Sequence, residues 1–373
     1  MNALQSLLEQ GQSIWYDFIS RDFIATGAMK ELVDQGLRGM TSNPTIFEKS
    51  IAGGSAYDEQ IRVLGGQGLP TAEIATHLFV TDIRNACDVM MPVYQDSDGA
   101  DGFISIEVNP KLAARTEETL AEARHLWKEI DRPNLMIKIP ATPEGLPAVQ
   151  RCIADGINVN ITLMFSMEQY RAVMEAYMAG LEERRDGGKD ITAISSVASV
   201  FVSRIDSMID EMLEKAGTPE ALALRGKAGL ANSKLIYREF RKICDGDRWK
   251  RLAAAGARPQ RPLWASTSTK NPSYPDLLYV DNLIGPDTVN TVPPETLTGI
   301  LDHANVRPTL EENMAGAART LEDLASAGID LDAIMARLLA EGVTKFEKSF
   351  DTLFEKLDEK RAALAGNGTA QEA

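Results

Sequence analysis

NLMIKIPAT, residues 134–142, sets Leu135, Met136, Ile137 and Ile139 in the pattern of a strand covered on both faces, as in a parallel sheet under helices. Lys138 interrupts it. An isolated ammonium in an apolar interior is costly and usually finds a carboxylate or loses its proton. The run therefore raises two questions, what sheet it belongs to and why a lysine lies inside it.

Working outward, seven more β-rich runs appear: SIWYDFI (13–19), GLRGMTS (36–42), GFISIEV (102–108), VNITLMF (159–165), ITAISSVASVFV (191–202), PLWASTS (262–268) and DTVNTV (287–292). Helical patterns lie between them. LAARTEETLAEARHLWKEI (112–130) keeps Leu112, Leu120, Ala123 and Leu126 on one stripe and its charges on the other, and SMEQYRAVMEAYMAGLEERR (166–185) reads as a second helix. Eight strands alternating with helices predict an α/β fold, a (β/α)₈ TIM barrel. Residues 1–373 are read as one barrel domain with additional helices. They include a helical insertion at about 205–260, too short for a core of its own, and a helix-rich C-terminal segment at about 295–365 expected to pack across the barrel. The tail GNGTAQEA, 366–373, is expected to be disordered.

Composition narrows the function. Lys plus Arg number 39 against 54 Asp plus Glu, a net charge of −15, which argues against nucleic-acid binding and membrane-surface roles. A single anionic substrate remains compatible, because a few local cations can hold one phosphate. The three cysteines and three histidines are scattered without CxxC or other ligand spacing, so no metal site and no disulfide framework is expected. MNALQSLLEQ reads as an amphipathic helix with no signal-peptide pattern, and no apolar run approaches the roughly 20 residues of a membrane span. A cytoplasmic protein is the expectation.

In a barrel of this kind, side chains at the C-terminal ends of the strands face the active site. Read run by run, those positions hold Asp17, Ser42, Asn43, Glu107, Lys138, Thr142, Asn160, Thr162, Ser199 and Ser266, with Arg204 and Lys270 just past the sixth and seventh strands. Lys138 reads either as a nucleophile that condenses with a carbonyl or as half of a buried ion pair. Glu107 and Asp17 read as acid and base for such chemistry, or as that lysine's partners. Arg204, at a strand-to-helix junction, and Lys270, among serine and threonine hydroxyls, could grip a phosphate or be solvated surface charges. Asn43, before a proline, could point inward or simply make a turn. No Walker, HExxH, catalytic-triad or dinucleotide fingerprint occurs.

Taken together, TSNPTIFEKSI, FISIEVNP, LMIKIPATPEG, VNITLMFS, SVFVSRID and WASTSTKNP strongly resemble the transaldolases, in the bacterial branch carrying IKIPAT and WASTSTKNP. The resemblance covers about residues 13–350. It implies a barrel enzyme of the non-oxidative pentose phosphate pathway that needs neither cofactor nor metal. Such an enzyme moves a dihydroxyacetone unit from sedoheptulose 7-phosphate or fructose 6-phosphate to an aldose phosphate, glyceraldehyde 3-phosphate or erythrose 4-phosphate. By motif, Lys138 matches the Schiff-base lysine, Glu107 the glutamate that moves protons through a water, and Thr162 the threonine holding that water. Asp17 matches the aspartate that takes the C4 hydroxyl proton. Asn43 and Asn160 match the asparagines on the dihydroxyacetone hydroxyls, and Ser199 and Arg204 the serine and phosphate-binding arginine of SxFVxRI. The better-known seventh-strand pattern is ASFRN; here ASTSTKN places Lys270 where an arginine is expected, with Ser266 beside it. A monomer or homodimer acting on sugar phosphates is implied. The alternatives are a fructose 6-phosphate aldolase-type enzyme, which releases dihydroxyacetone, and a non-catalytic sugar-phosphate-binding barrel.

Overall fold

All eight β-rich runs form strands in the computed structural model, which describes residues 2–368. The strands are β1 (Gln12–Tyr16), β2 (Gly39–Thr41), β3 (Phe103–Glu107), β4 (Leu135–Pro140), β5 (Val159–Met164), β6 (Ser196–Phe201), β7 (Arg261–Ala265) and β8 (Thr288–Val292). They pair in parallel, in sequence order, and β8 closes on β1. The expected (β/α)₈ barrel is the observed fold.

Strand alternation divides the core in two. Trp15, Phe103, Met136, Val197, Leu263 and Val289 belong to one buried cluster, while Ile14, Ile104, Ile137, Ile161 and Trp264 join a second cluster with the surrounding helices. Period 2 puts the first set inside the barrel and the second under the helices. The interior is thus a packed plug; Ser13 and Arg261 make a polar cluster with Asp101 at the strand starts, and the candidate site residues lie toward the opposite, C-terminal end.

The N-terminal segment forms the expected helix, Ala3–Glu9, and buries Leu4 and Leu7. The 112–130 pattern needs one correction. The α-helix begins at Thr116, and Leu112 belongs to a short 3₁₀ turn, Pro110–Leu112; Thr119, Leu120, Ala123, Leu126 and Ile130 make the buried face. Pro110 starts the turn, and Thr119 donates back to the Leu112 carbonyl at 2.9 Å, so the stripe is read one turn too early.

The 205–260 region contains the helices Ser203–Ala216, Pro219–Leu222, Ala228–Cys244 and Asp247–Ala254, all between β6 and β7. Asn232 ties the third to the barrel by donating to the Phe165 carbonyl at 2.7 Å. The C-terminal region contains Pro294–His303, Met314–Ser326 and a long helix, Leu331–Gly368. That last helix takes in residues 366–368 of the expected tail; residues 369–373 lie outside the described residues.

The long helix lies across the C-terminal mouth of the barrel. Phe346, Leu353 and Leu357 are buried, each contributing about 1.5–3 kcal/mol by leaving water. Exposed pairs such as Lys111–Asp351 add about 0–1 kcal/mol each, so apolar burial dominates the attachment. A close approach at Gly342 seats the helix. A Cβ there would stand 2.8 Å from Leu163 Cδ2, and Leu163 itself adopts φ +57° at an irregularity in β5.

Candidate active site

The strand ends and the long helix enclose a cavity of about 520 Å³. Asp17, Asn43, Lys138, Thr162, Ser199, Arg204, Ser266 and Lys270 line it. Glu107 and Asn160 lie behind this wall.

Register explains the grouping. Glu107 pairs with Lys138 across β3 and β4, Lys138 with Asn160 across β4 and β5, and Pro140 with Thr162. Paired positions of parallel strands face the same way, so Glu107, Lys138 and Asn160 point inward side by side, and Thr162, two residues beyond Asn160, joins them. Asn160 is held on both sides: Ser199 Oγ donates to its Oδ1 at 2.7 Å, and its Nδ2 donates to Ser105 Oγ at 3.0 Å. It acts as the floor beneath Ser199.

Lys138 is buried, only 5% exposed. Its Nζ donates one long hydrogen bond, 3.3 Å, to the Ser42 carbonyl and lies 3.8 Å from Glu107 Oε2. The second distance is an ion-pair contact but exceeds hydrogen-bond length. A buried pair that serves the fold needs good geometry and satisfied lone pairs to offset desolvation. This pair has neither, since both Glu107 oxygens and the Thr162 hydroxyl are buried without a hydrogen bond. The geometry favours an amine kept available over a structural salt bridge.

Burial pushes Glu107 up to about 7; Lys138 and Arg204 pull it down, and the Asp17 charge pushes it up. A carboxyl near 7 can give and take protons at neutral pH. Asp17 is oriented differently. Thr41 Oγ1 donates to its Oδ1 at 2.7 Å, and the Thr291 hydroxyl lies 2.7 Å from Thr41 Oγ1. Asn43 has both roles its position allowed: Oδ1 accepts from the Ile46 amide at 3.1 Å and caps the Pro44–Ala52 helix, while the residue lines the cavity.

Cations gather at the other end. The Arg204 guanidinium stacks 4.8 Å from the Phe201 ring centre and 5.9 Å from that of Phe346, with no carboxylate within ion-pair reach among the described residues. Burial lowers its pKa, while Glu107 and Asp17 raise it. Burial also lowers Lys270; Glu295 opposes this, and Arg204 and Lys345 lower it further. Ser266 holds φ +55°, with its hydroxyl 2.9 Å from that of Ser203. An unpaired guanidinium with a second ammonium and hydroxyls nearby is suited to a phosphate dianion.

Several cavity residues escaped the sequence reading. Thr41 and Phe201 end their strands and Thr291 lies one residue before the end of its own, so all three were within reach of the same rule. Lys345 and Phe346 were not. They sit on the long helix, and Phe346 lies 5.9 Å from Lys138 Nζ and 6% exposed. Only the helix's path across the mouth brings them there. Among the described residues no three or more His, Cys, Asp or Glu side chains cluster as metal ligands, and no helix is long and apolar enough to cross a membrane.

The sequence is also similar to known proteins. Residues 14–357 match the family model Transaldolase/Fructose-6-phosphate aldolase. A protein named Transaldolase from Parafrankia sp. (strain EAN1pec) is 50% identical over 364 residues, covering 97% of this chain and 99% of the relative. Another Transaldolase, from Thermobifida fusca (strain YX), is 49% identical over the same shares of the two chains. Transaldolase 2 of Nostoc sp. (strain PCC 7120 / SAG 25.82 / UTEX 2576) is 48% identical, covering 98% of this chain and 99% of the relative. The chain belongs to the transaldolase/fructose-6-phosphate aldolase family.

Proposed function

We propose that this chain is a transaldolase of the pentose phosphate pathway, moving a dihydroxyacetone unit between sugar phosphates through a Schiff base on Lys138. The observation that carries the reading is the buried Lys138 amine, on the cavity wall and not hydrogen-bonded to the Glu107 carboxyl 3.8 Å away.

In this reading the Lys138 amine adds to the C2 carbonyl of the ketose phosphate. Glu107, able to exchange a proton near neutral pH, serves the loss of water from the carbinolamine through a water shared with Thr162. The resulting iminium draws the electrons of the C3–C4 bond toward nitrogen. Asp17 accepts the C4 hydroxyl proton as that bond breaks, and an aldose phosphate leaves. The three-carbon enamine remains on Lys138, with Asn43 and Ser199 positioned for its hydroxyls. Attack on a second aldose phosphate re-forms the carbon–carbon bond, and hydrolysis frees Lys138. Arg204 and Lys270 hold the phosphate of each partner in turn.

Transfer requires the enamine to meet an aldehyde before water protonates it, so the cover over Lys138 matters. Phe346→Ala is expected to raise free dihydroxyacetone relative to transfer product by about tenfold, at a stability cost of about 3 kcal/mol. Product analysis beside a thermal melt checks both. Arg204→Ala is expected to raise KM for both phosphorylated substrates by about 10–100-fold, as loss of charged hydrogen bonds implies. Unchanged KM values would remove Arg204 from the phosphate site.

Incubation with fructose 6-phosphate and erythrose 4-phosphate tests the activity as a whole. A transaldolase yields sedoheptulose 7-phosphate and glyceraldehyde 3-phosphate. Free dihydroxyacetone, with no dependence on erythrose 4-phosphate, would favour the aldolase branch of the family.

A further inference from the structure

Two residues beyond Arg204, and one helical turn after that, the Ser203–Ala216 helix carries Asp206 and Asp210. Both are buried, at 2% and 7% exposure, and neither lies within ion-pair distance of a cation among the described residues. They are used alike. Asp206 Oδ1 accepts from the Gly229 amide at 2.9 Å, and its Oδ2 accepts from the Tyr279 hydroxyl at 2.8 Å. Asp210 Oδ1 accepts from the Gly226 amide at 3.0 Å, and its Oδ2 accepts from the Tyr274 hydroxyl at 2.7 Å. Each carboxylate therefore joins three segments: the Arg204 helix, the chain entering the Ala228–Cys244 helix, and the segment between β7 and β8.

That last segment carries Lys270, and Tyr274 and Tyr279 follow it by four and nine residues. The glycines fit their places closely. Gly226 has φ +69°, and a Cβ there would stand 3.0 Å from the Tyr274 ring; a Cβ on Gly229 would stand 2.7 Å from the Val202 carbonyl. Burial pushes Asp206 up to about 6, against the downward pull of the Gly229 amide and the Tyr279 hydroxyl. Four hydrogen bonds satisfy the two acids in place of a cation, and they fix the geometry of the segments they join.

We propose that the paired aspartate–tyrosine–glycine clamps hold the Lys270 segment in register with the Arg204 helix, making Tyr274 and Tyr279 positioning residues for the phosphate end of the site. This rests on the reading of Arg204 and Lys270 as the phosphate grip. It also gives part of the 205–260 insertion a task, since the two glycine amides come from its chain.

The test compares Tyr274→Phe and Tyr279→Phe with the parent, using erythrose 4-phosphate and unphosphorylated D-glyceraldehyde as acceptors at saturating fructose 6-phosphate. Each change removes one hydroxyl and keeps the ring. The expected result is a KM for erythrose 4-phosphate raised about fivefold to tenfold, kcat within about twofold, and an unchanged KM for D-glyceraldehyde. In an Arg204→Ala background, Tyr274→Phe should add little to the KM already lost, because both changes act on one grip. Tyr274 is only half-buried, so its variant should fold even if Tyr279→Phe is too unstable to assay. A lower melting temperature with the ratio of the two KM values unchanged would make the clamps purely structural and overturn the proposal. A parent that does not prefer the phosphorylated acceptor would instead overturn the phosphate reading of Arg204 and Lys270, and the clamps' role with it.

Discussion

Lys138→Ala is expected to lower kcat for dihydroxyacetone transfer by on the order of 10⁴-fold or more while leaving the protein folded. The kinetic part follows from covalent catalysis. Without the amine no iminium forms, and none of Glu107, Asp17 or Arg204 can serve as an electron sink for the C3–C4 bond. The folding part follows from the geometry of the Lys138–Glu107 contact. At 3.8 Å, with no hydrogen bond and a carboxyl already raised to about 7, removing the ammonium leaves Glu107 to take a proton and become neutral. The stability change should therefore stay within about 2 kcal/mol, short of the 3–5 kcal/mol typical when a tight buried pair is broken. Steady-state kinetics and a denaturant melt measure the two parts. A variant that keeps substantial transfer activity while losing about 3–5 kcal/mol of stability would return Lys138 to a structural role.

Glu107→Gln has the second largest expected effect, a loss of about 10²–10⁴-fold in kcat with KM little changed. The amide keeps the shape and removes proton exchange. The parent's rate should show a limb near pH 7, where Glu107 titrates, and that limb should be absent from the variant. Stability should move the other way. The folded-state value, about 7, lies above the ordinary carboxylate value of 4.5, so the folded protein binds this proton more tightly than the unfolded chain does. The group then costs nothing below about pH 4.5, and its cost grows as pH rises, reaching about 3 kcal/mol above pH 7. The parent should lose stability relative to Glu107→Gln across that window. Melts at pH 5 and pH 8 check this; parallel stabilities at both would mean that Glu107 is not held in a raised state.

The strand ends were readable because β-periodicity and barrel geometry act locally. Lys138 stood out as a charge in an apolar run, and the rule that strand ends face the site collected Asp17, Glu107 and Thr162 around it. The rule reaches only the wall. It did not separate Asn160, whose amide is occupied by Ser105 and Ser199 beneath the surface, from residues that line the cavity. It gave Asn43 a choice between capping and facing inward, and the side chain caps while the residue still lines the cavity.

The C-terminal segment was expected to pack across the barrel, but which of its residues would cover Lys138 was not readable. Phe346 is one buried position on an amphipathic helix, and nothing in its neighbours distinguishes packing on the barrel wall from packing over Lys138. Its place depends on long-range contacts, such as Gly342 against Leu163 and Thr45 donating to Ser349 at 2.8 Å. The same holds for the aspartate clamps. Asp206 and Asp210 read as ordinary helix-surface acids until the Gly226–Gly229 turn and the two tyrosines are folded onto them.

Borohydride reduction in the presence of fructose 6-phosphate, followed by peptide mass mapping, is the decisive measurement. The expected result is a single three-carbon adduct on Lys138, with none in the Lys138→Ala variant. Folded protein that turns over the sugar phosphate yet yields no adduct, or carries it on another lysine, would contradict the Schiff-base account.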